Sequence, residues 1–307
     1  MKLQNVAALL LGTLLLYACS SSQQQENTTT TATDSAKITP SKPRAELIKK
    51  WETDTVLTTC ESVLYDEASA LLYVSNINGA PLEKNKKGFI SRLKTDGSIE
   101  NLYWVKGLNA PKGMGILDGK LYVTDIDELV EIDIQKAKVL KKYPVKGAKF
   151  LNDITVDANG KVVYFSDMEN NKIHTFKNGK VEEFLSDTTL GKVNGLHFEV
   201  DRIVFATFGD AKLKAVDLST KKVSILADGI ETGDGIADIE RDVYLVSGWN
   251  GEVYFFEKGS LTKLLDTKEA KINAADIEYI TTNKLLLVPT FFKNTVAAYE
   301  LVINNNQ

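Results

Sequence analysis

The chain has 307 residues, a formal net charge of −4, and 25% charged and 43% hydrophobic residues. Its lysines are scattered without a basic stripe, and no glycine-rich phosphate loop precedes a helix. These features argue against a nucleic-acid partner.

Residues 1–19 have the pattern of a bacterial lipoprotein signal peptide. A lysine at position 2 precedes an apolar run, residues 6–16, which is too short to span a bilayer. The letters LYAC that end the segment resemble a lipobox, which predicts cleavage before Cys19 and its lipidation by palmitate. The alternative is an ordinary signal peptide cut at a small residue. We therefore expect an envelope protein held to a membrane only by its lipid, and Ser20 favours the outer membrane.

Residues 20–44 form a polar low-complexity segment that we interpret as a disordered tether. Residues 45–307 have the composition of one globular domain, expected to be a monomer. If Cys19 carries lipid, Cys60 has no partner for a disulfide within the chain. Cys60 is then either a small buried residue or a reactive thiol near the site.

The domain repeats one unit six times. The clearest copy, residues 193–218, is typical of a hairpin followed by a third strand. Each unit opens at one aligned position, and these positions are Glu61, Lys112, Asn152, Asn194, Asp234 and Ala275. Successive positions are separated by 51, 40, 42, 40 and 41 residues. The long first gap holds a Lys- and Asn-rich insertion at residues 81–88. A hydroxyl residue ends the second strand of each unit: Ser75, Thr124, Ser166, Thr207, Ser247 and Thr290. Such a period predicts a repeat fold.

The strand pattern predicts an all-β, six-bladed β-propeller. Each of the first five units supplies four candidate strands, whereas the sixth supplies three. Residues 50–57 offer the missing strand, so we expect an N-terminal strand to complete the last blade and leave no long free edge. Only residues 46–48 suggest a turn of helix, which argues against a (β/α)₈ barrel.

The unit-opening positions predict a metal site. The first strand of each propeller blade lines the central channel, so these positions should form a ring. Four of them carry oxygen donors: Glu61, Asn152, Asn194 and Asp234. This set suits a hard divalent cation, Ca²⁺ first and Mg²⁺ or Mn²⁺ next, with Zn²⁺ as the least favoured alternative because it prefers nitrogen and sulfur. The alternative is that these residues only shape turns.

Four motifs resemble the senescence marker protein/gluconolactonase/luciferin-regenerating enzyme family over residues 50–301: Glu61, Asn152-Asp153, Asn194-Gly195-Leu196 and Asp234-Gly235-Ile236. The resemblance implies that Glu61, Asn152, Asn194 and Asp234 hold a divalent metal, with Asp234 also the catalytic base. It implies hydrolysis of sugar lactones or related esters. Three places differ from the family pattern: Ser62-Val63, Ile154, and Phe150 in place of an arginine.

Further residues are candidates for substrate binding. Lys112, the only cation of the ring, is expected to bind a substrate carboxylate or hydroxyl, or else to act as a counter-charge. The loops between second and third strands should rim the same mouth, which adds Asp125, Asp167 and Trp249. Such a rim suits a sugar-like or aromatic ligand. We expect a metal-dependent hydrolase of a lactone or ester, or alternatively a non-enzymatic calcium-binding propeller that binds a glycan or a protein.

Overall fold

A computed structural model of the protein describes residues 44–304, which contain 24 strands, two single-turn 3₁₀ helices and no α-helix. The predicted signal peptide, Cys19 and residues 20–43 lie outside the described residues. Arg44, assigned above to the tether, already contacts the domain, because its guanidinium donates two hydrogen bonds to the Glu257 carboxylate. Within the described part of the chain, no helix is long and apolar enough to cross a membrane.

Most of the strands follow one another with short connections, and the two longest lie between β3 and β4 and between β21 and β22. Their bounds are β1 Ala45–Glu52, β2 Cys60–Asp66, β3 Leu71–Asn76, β4 Gly88–Lys94, β5 Ile99–Leu108, β6 Pro111–Leu117, β7 Lys120–Asp125, β8 Glu128–Asp133, β9 Lys138–Pro144, β10 Leu151–Asp157, β11 Val162–Asp167, β12 Lys172–Lys177, β13 Lys180–Ser186, β14 Val193–Phe198, β15 Arg202–Thr207, β16 Lys212–Asp217, β17 Val223–Asp228, β18 Gly233–Glu240, β19 Val243–Gly248, β20 Glu252–Glu257, β21 Ser260–Asp266, β22 Glu278–Ile280, β23 Leu285–Pro289 and β24 Val296–Ile303. The 3₁₀ helices are Thr188–Leu190, between β13 and β14, and Thr281–Asn283, between β22 and β23.

These strands form six four-stranded antiparallel sheets. Five sheets follow chain order, β2 to β5, β6 to β9, β10 to β13, β14 to β17 and β18 to β21, and the sixth has the order β1-β24-β23-β22. The first strands of neighbouring sheets contact each other in turn, and the circle closes between β22 and β2. The described chain is therefore a six-bladed β-propeller, which confirms the fold predicted from the sequence.

The closing strand lies earlier than the sequence analysis predicted. β1 begins at Ala45 rather than at residue 50, and it pairs with β24 as the outer strand of blade six. Residues 46–48, which suggested a helical turn, belong to this strand. The backbone N–H groups of Thr53 and Leu57 still donate to Val296 O and Asn294 O. The expected segment thus contacts blade six, but its second half does so as a loop.

The outer strands of blades two, three and five share one burial pattern, in which the second, fifth and sixth residues are half-buried and the others are exposed. Most of the exposed residues are charged or polar, with Leu140 and Pro144 as the exceptions. Charge on a free strand edge discourages pairing with another chain. Between the blades the core is apolar; for example, Leu129 of blade two shares a buried cluster with Phe165 and Phe176 of blade three. Each such side chain contributes about 1.5–3 kcal/mol by leaving water.

A bulge interrupts the first strand of blades one to five at the position that opens each repeat. The register shifts lie between Cys60 and Val63, Pro111 and Met114, Leu151 and Ile154, Val193 and Leu196, and Gly233 and Ile236. A bulge redirects a side chain and leaves a backbone group unpaired. In three blades the repeated hydroxyl accepts a hydrogen bond from the backbone N–H of the residue that follows the unit-opening position. These bonds are Ser62 N to Ser75 Oγ (3.0 Å), Asp153 N to Ser166 Oγ (3.0 Å) and Gly235 N to Ser247 Oγ (2.8 Å). In these blades the repeated hydroxyl residue therefore stabilises the bulge at the unit-opening position.

Candidate functional site

Five of the six ring positions line one cavity at one end of the central channel: Glu61, Lys112, Asn152, Asn194 and Asp234. All five side chains are buried. The cavity has a volume of about 260 Å³, just below the range of roughly 300–1,000 Å³ common for small-molecule pockets. Ala275, the sixth position, is buried in an apolar cluster instead. The structure thus brings together all four side chains proposed as metal ligands.

Asn194 and Asp234 do not shape turns. They lie inside strands β14 and β18. The glycines that follow them are required by close packing of adjacent first strands: a Cβ on Gly195 would lie 1.8 Å from Asp234 O, and one on Gly235 would lie 2.4 Å from Ile277 N. Glycine within a strand often marks such a close approach of backbones. The alternative that these motifs are only turn formers is wrong.

The charges of the cavity are poorly compensated. Burial, together with repulsion from Asp234 and Asp276, raises the pKa of Glu61 well above its ordinary value. Burial and Asp276 likewise raise the pKa of Asp234, against the hydrogen bond from Asn194. Burial lowers the pKa of Lys112 to about 8, although Glu61 opposes that shift. Two buried carboxyls that repel each other favour either protonation or a bound cation.

Two oxygens at the cavity that lack hydrogen-bond partners within the described chain are suitable ligands for the predicted divalent cation. Within the described chain, neither Glu61 Oε2 nor Asn194 Oδ1 has a hydrogen-bond partner, and both atoms are buried. Asn194 Nδ2 donates hydrogen bonds to Gly233 O (3.3 Å) and Asp234 Oδ1 (3.1 Å). A buried acceptor without a partner is costly, and oxygen is the ligand that hard divalent cations prefer. The donor set of Glu61, Asn152, Asn194 and Asp234 therefore fits such a cation.

Only two of these four donors are carboxylates. Accordingly, residues 44–304 contain no group of three or more His, Cys, Asp or Glu side chains placed to hold a metal. Neither histidine of the chain, His174 or His197, lines the cavity. A site of mixed carboxylate and carboxamide oxygens is suited to Ca²⁺ or Mg²⁺ more than to zinc.

Lys112 holds a loop. Its Nζ donates to Pro81 O and to Ala110 O, each at 2.9 Å, and lies 4.8 Å from the centre of the Phe150 ring. An ammonium has three N–H donors, and these two hydrogen bonds engage two of them. Lys112 thereby fastens the insertion at residues 81–88, which contributes Pro81 to the cavity. Its direct contact with substrate stays a prediction.

Asp125 and Asp167 are not at the cavity. Both are fully buried, and neither side chain lines the pocket. Asp125 accepts the backbone N–H groups of Asn109 (2.9 Å) and Ala110 (2.7 Å), and Asp167 accepts that of Phe150 (3.1 Å). Each carboxylate accepts hydrogen bonds from backbone N–H groups of the loop that precedes the first strand of its blade. We therefore withdraw the prediction that they bind substrate and assign them a structural role.

The cavity wall is apolar. Trp249 lines it, as expected, and packs edge to face on Phe291 (5.5 Å between ring centres) and Phe292 (6.0 Å). The other wall residues are Ile77, Pro81, Phe150, Met168 and Phe208. Six of the eight stand one or two positions after a repeated hydroxyl residue: Ile77, Met168, Phe208, Trp249, Phe291 and Phe292. That spacing was the available sequence signal, and it marks Met168, which the sequence analysis missed.

The opposite end of the channel is acidic, and two of its carboxylates accept hydrogen bonds from other groups of the protein. Asp153, Asp238, Asp276 and Glu278 line a second cavity there. Asp153 Oδ2 accepts the Leu196 N–H and Asp276 Oδ2 accepts the Ser62 hydroxyl, both at 2.6 Å. The first of these bonds joins β14 to β10, and the second joins β2 to the segment that precedes β22.

Cys60 is a buried structural residue. Its thiol donates to Thr295 O at 3.1 Å, and burial raises its pKa to about 12. Because the thiolate is the reactive form, this environment argues against the reactive-thiol interpretation.

No protein-family model matches the sequence, and no curated protein matches it significantly. Two solved structures are similar in fold. A chain in a nidogen/laminin complex is 14% identical, with a TM-score of 0.60 over 72% of this chain and 85% of that chain. Selenomethionine-substituted virginiamycin B lyase from Staphylococcus aureus is 12% identical, with a TM-score of 0.58 over 84% of this chain and 100% of that chain. At such identities the likeness shows the propeller fold alone.

Proposed function

We propose that this protein is a metal-dependent hydrolase of a lactone or ester, related to the senescence marker protein/gluconolactonase/luciferin-regenerating enzyme family. The observation that carries the proposal is a pair of buried oxygens, Glu61 Oε2 and Asn194 Oδ1, that have no hydrogen-bond partner among residues 44–304 and lie at a cavity that also holds Asp234. Glu61, Asn152, Asn194 and Asp234 would hold the cation, Ca²⁺ first.

A divalent cation in this set would polarise the substrate carbonyl and stabilise the negative charge that develops on its oxygen. The residues of the chain supply the rest. Asp234 is fixed by the Asn194 Nδ2 hydrogen bond to its Oδ1, which leaves Oδ2 to take a proton from the attacking water. A carboxylate oriented in this way can act as a general base toward the attacking water. The apolar wall limits the access of bulk water to the reacting group.

Asp234→Asn tests the assignment, with Asp238→Asn as a matched control on the same strand but at the opposite end of the channel. The purified protein is assayed with Ca²⁺, Mg²⁺, Mn²⁺ or Zn²⁺ against a panel of lactones and esters, and metal binding is measured by calorimetry. We expect Asp234→Asn to lower kcat by about 10²–10⁴-fold, the usual contribution of a general base, and Asp238→Asn to retain activity. Absence of turnover with every metal, despite measured metal binding, would refute the hydrolase proposal.

The second candidate is a calcium-binding propeller without catalysis, which binds a glycan or a protein partner. An exposed aromatic residue at the cavity, Phe292, with 62% of its surface accessible, supports it, because aromatic residues are enriched at interfaces. In this case Asp234→Asn would weaken metal binding and thermal stability with no activity to lose.

We also propose a lipid anchor on Cys19, supported by the lipobox-like LYAC segment. Cells that express the protein should incorporate labelled palmitate into it, and Cys19→Ser should abolish the label and release the protein from the membrane fraction. Label retained in Cys19→Ser would contradict the assignment.

A further inference from the structure

Polar and apolar groups of the cavity come from separate parts of the fold. The polar side chains all belong to the bulged first strands, where Glu61, Asn194 and Asp234 stand. The eight apolar residues come from loops and strand ends around the mouth. A ligand whose carbonyl reaches the ring must therefore place the remainder of its structure against an apolar surface.

The wall offers no partner for the hydroxyl groups of a sugar. The nearby carboxylates of Asp125 and Asp167 are fully buried and occupied by backbone N–H groups. Two of the three Lys112 donors are engaged with backbone carbonyls. A hydroxyl desolvated against this wall would lose its hydrogen bonds to water without replacement.

The aromatic part of the wall is preorganised. Phe291 and Phe292 meet at 89° with ring centres 4.8 Å apart, and both lie edge to face with Trp249. Mutual packing of this kind fixes the rings before a ligand arrives, so an apolar group binds with little loss of side-chain entropy.

Resting on the proposed hydrolase function, we infer that the substrate is a neutral lactone or ester that carries an apolar alkyl or aromatic group, and not a sugar lactone. The ring oxygens and Asp234 act on the carbonyl, while the wall around Trp249 and Phe292 accommodates the apolar group.

Three six-membered lactones separate the contributions: δ-valerolactone, δ-decalactone with its alkyl chain, and glucono-δ-lactone with its hydroxyls. With metal supplied, we expect kcat/KM for δ-decalactone to exceed that of each of the others by about tenfold or more, since one methylene in an apolar pocket can contribute a factor of about ten. Equal or faster hydrolysis of glucono-δ-lactone would overturn the inference.

Phe292→Ser should lower this preference several-fold, while Tyr103→Ser, an exposed aromatic on β5 away from the cavity, should leave it unchanged. An unchanged preference in Phe292→Ser would count against the wall as its source.

Binding of the matching lactams, which resist hydrolysis, keeps this inference separate from the proposed function. Calorimetry should show tighter binding of 6-pentylpiperidin-2-one than of gluconolactam. If no lactone is turned over but this order holds, the hydrolase proposal fails and the ligand class stands. If gluconolactam binds as tightly, or neither lactam binds, the ligand class is wrong.

Discussion

Asn194 donates from Nδ2 to Asp234 Oδ1 across 3.1 Å, while its own Oδ1 has no partner within the described chain. One carboxamide thus orients the proposed base and presents an oxygen for a ligand. Both side chains are buried and both stand in bulges of neighbouring first strands. The repeat therefore positions two residues that are 40 positions apart.

Asn194→Ala removes both the oxygen and the bond to Asp234. We expect Ca²⁺ affinity, measured by calorimetry, to fall at least 10–100-fold, the range found for groups that only support metal ligands. Asn250→Ala, which alters an amide in a mouth loop outside the cavity lining, should bind Ca²⁺ normally. Unchanged affinity in Asn194→Ala would show that the cation, if bound, lies elsewhere.

The repeated hydroxyls should stabilise the fold by satisfying the bulges. Ser247 Oγ accepts the Gly235 N–H at 2.8 Å and donates to Ala275 O at 2.7 Å, in the next blade. Ser247→Ala leaves both groups unpaired, so we expect the free energy of unfolding to fall by about 1–3 kcal/mol in urea titration. Ser224→Ala, at an exposed strand position, should change it by less than about 0.5 kcal/mol. Equal effects of the two substitutions would contradict a role in the bulge.

The propeller could be predicted because its signals are local and recur. Spacing of the ring positions and of the hydroxyls counts the blades, and the three-strand last unit requires a strand from the N-terminus. The position of that strand could not be inferred in the same way, because residues 45–57 lack a regular alternation of polar and apolar side chains and so mark no single strand. The pairing of Ala45 with Ile303 decides it, and that contact joins opposite ends of the domain.

The candidate site was partly predictable for a related reason. The first strand of a propeller blade lines the channel, and five of the six positions inferred from spacing do line the cavity. The direction of a carboxylate at the end of a second strand cannot be read in this way. Asp125 turns toward the backbone of Asn109 and Ala110, and it does so because those N–H groups would otherwise be buried without acceptors.

The metal-free protein should be more stable at mildly acidic than at alkaline pH. Burial raises the pKa of Glu278 to about 7, against the N–H donors of Tyr65 and Tyr279, and raises that of Asp276 to about 6. The folded state therefore retains protons that the unfolded chain releases, and stability falls as pH rises from about 4 through about 7.

Urea titrations in a chelator at pH 5 and pH 8 test this expectation, and the Glu278 contribution should be about 1–3 kcal/mol. Glu278→Gln should flatten the profile, because its side chain no longer titrates. The exposed turn substitution Glu67→Gln should not. Stability that rises between pH 5 and pH 8 in the metal-free protein would reverse the assigned sign.

Closure of blade six by β1 should dominate the stability of the domain. β1 supplies the outer strand of its sheet, and at its end Glu52 accepts hydrogen bonds from Thr295 Oγ1 and Lys293 Nζ, both at 2.6 Å. Deletion through residue 52 removes the ladder with β24 and exposes that edge, so we expect a large loss of stability and concentration-dependent association. Deletion through residue 43 is the control and should leave the urea midpoint unchanged. Glu52→Gln keeps the ladder and should reduce stability by only about 1 kcal/mol. A domain that unfolds at the same urea concentration without residues 45–52 would show that the strand does not close the propeller.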